Sequence, residues 1–228
     1  VGSTLFKAMH PTPVSDIIVA FHRLLLCAPC VLLAGCNGIY DGLYDDFGGT
    51  DIPQYGFVES RADGSGTIYI DATGYDRWVL LDFHRKTMDT VNITAAEPDP
   101  EHWDIAIHRY DVRTRDGAAA ETPVADLSAA AAMDRDRLAF TADVDSQVVV
   151  DMSTMMDGYL GYSPAHVNPV LSRWLDVNTS TMPPVYTLSR KVYIVQMEDG
   201  TLAALFFSDY VNEKAAKGYI TIQYRYPL

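Results

Sequence analysis

The 228-residue chain has little positive charge: 17 Lys and Arg stand against 30 Asp and Glu, giving a formal charge of −13. An acidic surface disfavours nucleic acid and anionic bilayers as working partners. Cysteine is scarce, with Cys27, Cys30 and Cys36 only. Cys27 and Cys30 have the C-x-x-C spacing of a redox pair, but both fall in an apolar run that reads as a discarded leader. Cys36 is then left alone, which excludes a disulfide framework and a thiolate metal site. No apolar run approaches the roughly 20 residues of a spanning helix. There is no G-x-S-x-G, no H-E-x-x-H, no phosphate-cradling glycine loop and no G-x-G-x-x-G. Beyond Cys36 the histidines are His84, His102, His108 and His166, and no pair has the helix-face spacing of a zinc site. Asp143-Val144-Asp145 resembles the start of a calcium loop without its Gly or distal Glu. Ser153, Ser163 and Ser172 have no base nearby in sequence. The residues favour a binding module over an enzyme.

What is present begins with the N-terminal segment. Arg23 precedes the apolar stretch Leu24 to Leu32, and Leu33-Ala34-Gly35-Cys36 follows it. This is the layout of a bacterial export signal whose removal leaves a lipid-bearing cysteine at the new N-terminus. A signal over 1–35 and lipidation at Cys36 are expected, with the protein held to a membrane by acyl chains and working outside the cytoplasm. Each buried methylene contributes about 0.8 kcal/mol, so stable anchoring takes two chains or more. Residues 36–66 read as an acidic, flexible tether, with Gly-Gly, Asp-Asp, Ile-Pro and Gly-Ser-Gly and no hydrophobic period.

Residues 67–228 are one domain's worth of chain, and they read as mainly antiparallel β. Alternating or β-branched runs predict strands at Thr67–Asp71, Arg77–Phe83, Leu138–Thr141, Gln147–Met152 and Trp174–Val177. A long strand is expected over Trp103–Arg113. Val185–Met197 and Leu202–Tyr210 flank Asp199-Gly200, a hairpin signal. A short helical turn at Asn212–Lys217 then leads to Tyr219–Tyr226. These last three strands predict a meander with one wet face. Ala118–Met133 fits a helix or a loop.

The methionines are placed unusually. Met152, Met155 and Met156 cluster at the end of a predicted strand, and Met182 stands in Thr179-Ser180-Thr181-Met182-Pro183-Pro184. Both settings are polar and turn-like, where a thioether gains nothing unless it touches something. Two thioethers from separate loops can clamp a haem iron from both faces; a copper-type site and ordinary gap filling are the other readings.

Trp103-Asp104-Ile105-Ala106-Ile107-His108-Arg109-Tyr110-Asp111-Val112-Arg113 resembles the W-D-x-A-x-H-R-Y-D-V-R stretch of the HmuY family, haem-binding lipoproteins of Bacteroidota. Tyr186 to Tyr193, Phe207-Ser208-Asp209-Tyr210, Gly218-Tyr219-Ile220-Thr221 and Tyr226-Pro227 are similar to that family's ending. The likeness runs from about Ile68 to Leu228 and is weakest between 115 and 185. It implies an all-β, hand-shaped fold with one or two short helices. Haem would be gripped between two projecting β elements and passed to a TonB-dependent outer-membrane receptor.

The founding member of the family holds iron with two histidines, in regions matched here by Asp151-Met152 and Trp174-Leu175. Neither region has a His at the corresponding place; Asp157 or its neighbours and Thr179 stand there. The resemblance therefore implies methionine ligands, as in other members: Met182 on one side and Met155 or Met156 on the other, with Met156 preferred and Met152 packing at the strand end. His166, between the two loops, leaves a His–Met pair as an alternative. His108 is expected to be structural, in a polar network with Asp111 or a neighbouring strand. Arg109, Tyr110 and Arg113 are expected in cross-strand pairing, and Trp103 and Trp174 as core anchors. The expected function is haem capture (iron protoporphyrin IX) by a surface-exposed outer-membrane lipoprotein. The rival is a glycan-binding or structural lipoprotein that binds no haem.

Overall fold

The computed structural model describes residues 54–228. The expected signal, Cys36 and the first part of the tether lie outside the described residues. The strands are β1 (Gly56–Ser60), β2 (Ser65–Asp71), β3 (Arg77–Asp82), β4 (Thr87–Asn92), β5 (Ile105–His108), β6 (Asp111–Thr114), β7 (Ala118–Glu121), β8 (Thr141–Ala142), β9 (Val144–Asp151), β10 (Gly161–Val167), β11 (Leu175–Asn178), β12 (Val185–Leu188), β13 (Val192–Gln196), β14 (Leu202–Val211) and β15 (Lys217–Arg225). One α-helix, α1 (Leu127–Ala131), lies between β7 and β8. A seven-stranded sheet has the order β1-β2-β15-β14-β13-β7-β8, and a four-stranded sheet the order β4-β3-β5-β6. β9 with β10 and β11 with β12 form two separate two-stranded ribbons. Strand pairing is antiparallel, as the sequence predicts.

Period-two side-chain alternation decides what each strand buries. Ile68 and Ile70 of β2, Tyr193 and Val195 of β13, Leu205 and Phe207 of β14, and Ile220 and Ile222 of β15 meet Val79, Leu81, Ile105 and Ile107 of the smaller sheet. The main core is thus the space between the two large sheets. β3 and β13 are apolar without alternation because both of their faces are covered. In β3, Val79 and Leu81 enter this core, while Trp78 and Leu80 pack outward against Val148 and Val167 of the first ribbon. In β13, Val192 and Ile194 face away from the core and pack with Ala130 of α1 and Ala204.

Several expectations change here. The outer face of the C-terminal meander is not wet along β13, because the α1 segment covers it. The tether does not extend to Gly66. β1 pairs with β2 from Gly56↔Tyr69 to Ser60↔Gly66, and a Cβ on Gly66 would fall 2.0 Å from the Glu59 carbonyl oxygen. The expected strand Trp103–Arg113 is a hairpin: β5 ends at His108 and β6 starts at Asp111, with Arg109 in left-handed backbone at φ 53°. Val185–Met197 likewise breaks at Arg190 (φ 57°), leaving β12 in a ribbon and β13 in the large sheet. Ala118–Met133 divides into β7 and α1; Ala119 and Ala120 pair with Val195 and Ile194, so burial in the sheet overrides helix propensity. Asn212–Lys217 is no helical turn, because Asn212 Oδ1 accepts the Lys214 and Ala216 amides and makes a tight turn between β14 and β15.

Candidate functional site

The two ribbons grow from buried roots. Asp143, just before β9, accepts from the Thr114 amide (2.7 Å) and hydroxyl (2.8 Å) and from Asn168 Nδ2 (2.9 Å). Asn168, just after β10, is fully buried; its Oδ1 also accepts the Val170 and Leu171 amides. This network fixes the first ribbon to β6 and uses up the Asp143 carboxylate, so the calcium-like Asp143-Val144-Asp145 is a structural anchor. The second ribbon starts at Trp174, which is fully buried, stacks on Phe207 at 4.6 Å and donates from Nε1 to the Tyr110 carbonyl at 2.9 Å. Tyr186 on β12 stacks on Tyr210 at 5.4 Å, with Lys217 Nζ 4.2 Å from the Tyr186 ring. Trp174 is thus the anchor the sequence predicts. So is Trp103, which packs with Trp78 while the Arg113 guanidinium lies 4.6–4.7 Å from both rings.

The far ends of the ribbons carry the methionines. Between β9 and β10 the chain makes a 3-10 turn, Met155–Asp157, closed by Gly158 at φ 84°. Ser153, whose amide bonds the Asp151 carboxylate, helps hold that group below the usual carboxylate range. Met152 is partly buried at the strand end, Met155 is 48 % exposed and Met156 90 %. Between β11 and β12, Asn178 Oδ1 accepts the Ser180 amide and hydroxyl, and Met182 in the same loop is 90 % exposed. All three candidate iron ligands are therefore at ribbon tips and open to solvent. Tyr159, Tyr162 and Val185 are exposed beside them. Leaving a Met side chain in water forgoes about 1.5–3 kcal/mol of burial, and exposed apolar clusters of this kind mark contact sites.

His166 is elsewhere. It lies on β10 opposite Asp145, at the root end of the ribbon, with Nδ1 3.2 Å from the Asp145 carboxylate. At about 3.4 Å per residue it stands roughly 17 Å along the strand from Gly161, where the methionine turn ends. The ribbon pairs it with Asp145 and not with the methionine turn.

Between the ribbons, near their roots, is a cavity of about 290 Å³. Val149 of β9 and Leu175 and Val177 of β11 form apolar walls, and Tyr75, His108, Arg109, Tyr110, Ser172 and one carboxylate, Asp111, complete the lining. His108 is buried and structural, as expected, but its partner is the Tyr75 carbonyl, which accepts from Nε2 at 2.8 Å; Asp111 stays 3.9 Å from Nδ1. Arg109 and Tyr110 are not cross-strand pairs on a sheet, because they form the β5–β6 turn. Burial pushes the Tyr110 phenol up to about 12. No sequence signal marks this role, since a turn inside an alternating run looks like strand.

A second cavity, about 430 Å³, is lined by Asp82, His84, Asp104 and Asp199 among others. Asp82, His84 and Asp104 offer ligand atoms within 4.8 Å of one another, but their bonds are made within the protein. Asp82 accepts the Arg85 amide at 2.8 Å, and Asp104 accepts the Phe83 amide at 2.6 Å. The His84 ring bridges Asp104 (3.3 Å) and Asp199 (3.0 Å), joining the β3–β4 turn to the β13–β14 turn.

Comparison with known proteins accords with this architecture. The family model for the HmuY protein matches residues 74–224. A structure described as a HmuY-like heme binding protein from Bacteroides vulgatus is 46% identical, with TM-score 0.72, covering 77% of this chain and 99% of that one. A lipoprotein structure from Bacteroides fragilis is 42% identical, with TM-score 0.73, covering 79% and 99%. An apo HmuY analog from Tannerella forsythia is 25% identical, with TM-score 0.61, covering 72% and 96%. No curated protein matches the chain. The two-ribbon β architecture and the match over residues 74–224 lead to one assignment: the chain belongs to the HmuY family.

Proposed function

We propose that this protein captures haem outside the cell, gripping it between the two ribbon tips with Met182 on one side of the iron and Met155 or Met156 on the other. Met156 is the preferred partner, being the more exposed of the two. The observation that carries this reading is that each ribbon presents a solvent-open thioether at its tip. Membership of the HmuY family supports haem binding. The residues suit the group: each ribbon carries uncharged soft donors at its tip and contributes apolar side chains to the cavity between the ribbons. Haem would supply an iron centre able to accept sulfur donors. The protein's own part is to hold those sulfurs on two separately rooted elements, and to cover an apolar ring with Val149, Leu175, Val177 and the exposed tyrosines.

The same reading places the protein at the outer membrane, lipid-anchored at Cys36, with delivery to a TonB-dependent receptor. Neutral thioethers are weak donors to ferric iron, which suits a carrier that must let go. The work is binding and transfer, with no catalytic step. Absorbance titration with haem tests the reading. A Soret shift on addition, altered in Met182→Ala, is expected. No shift at all removes haem capture and favours the sugar-binding or structural alternative.

A further inference from the structure

At the roots of the two ribbons, unmet polar demands converge on one cavity. Arg109 is partly buried and pairs with no carboxylate among the described residues. Its Nη1 donates to the Ala72 (3.2 Å) and Thr73 (2.8 Å) carbonyls, and its guanidinium sits 4.5 Å from the Tyr75 ring and 5.3 Å from the Tyr110 ring. Among the described residues, four buried side-chain polar atoms lack a hydrogen-bond partner. Three of them, His108 Nδ1, Arg109 Nε and the Tyr110 hydroxyl, belong to residues lining the cavity between the ribbons. Buried polar groups are normally satisfied, so three orphans around one space call for something that bonds there. His108 is the most deeply enclosed, at 1 % exposure; with Nε2–H given to the Tyr75 carbonyl, its Nδ1 has nothing to bond.

The chemistry of that occupant follows from the donors. An uncompensated guanidinium with a free N–H, beside a phenol with a free O–H, suits an anion with two oxygens. The walls suit an apolar body attached to it. We propose that Arg109 and Tyr110 receive a carboxylate arm of the ligand held between the ribbons. This rests on the haem reading, on which the arm is one of the two propionates and haem enters with that edge toward the ribbon roots. Arg109 occupies left-handed backbone, which an arginine seldom adopts and which is held here at the corner of the β5–β6 hairpin.

The experiment compares iron protoporphyrin IX with its dimethyl ester, whose carboxyls are capped, on the full chain. Wild type, Tyr110→Phe and Arg109→Gln are titrated in the same oxidation state. Tyr110→Phe deletes a hydroxyl that lies near the Tyr186 phenol without a close hydrogen bond to it, and leaves the ring on Trp174 and Tyr186, so the fold holds. Wild type should bind haem roughly tenfold or more tightly than the ester, and Tyr110→Phe should lose about tenfold for haem while leaving the ester unchanged. Arg109→Gln should also erase most of the discrimination. Equal affinity for both compounds in wild type, or equal losses for both in Tyr110→Phe, overturns the carboxylate subsite and leaves water as the occupant, with haem capture intact. Failure of haem and ester alike to bind wild type overturns haem capture itself, and the subsite with it.

Discussion

Asn168 donates from Nδ2 to the Asp143 carboxylate at 2.9 Å, so the residue that ends the first ribbon holds the residue that begins it. Asn168 also gives a hydrogen bond to the Thr141 carbonyl and accepts two amides, all from a fully buried position. Asn168→Ala should therefore cost about 3 kcal/mol of stability, because it leaves buried amides and a carboxylate unsatisfied. Urea unfolding measures this. A loss under half a kcal/mol would mean the network does not secure the ribbon.

The tip methionines should behave in the opposite way. Met156 and Met182 are almost fully exposed, so alanine at either position should change stability by less than about 0.5 kcal/mol. Met182→Ala should nonetheless alter the haem spectrum and weaken binding at least tenfold. Of Met155→Ala and Met156→Ala, one should match it. Spectra of the reduced complex make the comparison, and an unchanged spectrum in all three variants excludes thioether ligation.

Oxidation state provides a further check. Sulfur favours the reduced metal, so affinity should rise on reduction. With no titrating ligand, that affinity should also vary little between about pH 6 and 8, unlike a histidine pair that must shed protons. Paired titrations with dithionite-reduced and ferric haem test both statements. Equal affinity in the two oxidation states, or a steep pH slope, contradicts the methionine clamp.

Stability should depend on pH through His84. Burial pulls this imidazole down, but the hydrogen bonds and charges of Asp199 and Asp104 outweigh it and raise the group above its usual 6.5. A raised histidine contributes stability that is full below the unfolded value and is lost as pH rises through the folded one. Wild type should thus lose stability as pH climbs above 6.5, and His84→Gln should flatten that part of the profile. Urea midpoints at several pH values read the difference; parallel profiles would show that the bridge from Asp104 to Asp199 carries no net charge interaction.

Much of the fold was legible because strand patterning is a local signal. Ile68 and Ile70, or Ile220 and Ile222, alternate with polar neighbours and fall where the pattern puts them. The Asp199-Gly200 turn also forms as expected, with Gly200 at φ 85°. Breaks inside apolar runs were not legible. Nothing about Arg109 or Arg190 marks a turn, since each adopts positive φ under tertiary constraint and not through glycine. The exposed Met182 and Met156 could be found because apolar residues in polar turns stand out. The polar cavity could not, since it is assembled by Tyr75, Arg109, Val149 and Val177 from four separate segments. His108 is buried and hydrogen-bonded, as the sequence predicts, but its carbonyl partner at Tyr75 lies 33 residues away and leaves no trace in spacing.

Pro164 stands in the middle of β10, opposite Gln147, and β10 pairs with β9 alone. Its other side is an open edge, and a proline there has no N–H to offer a passing strand. The β10 edge of the ribbon is thereby a poorer template for another strand than an uninterrupted edge would be.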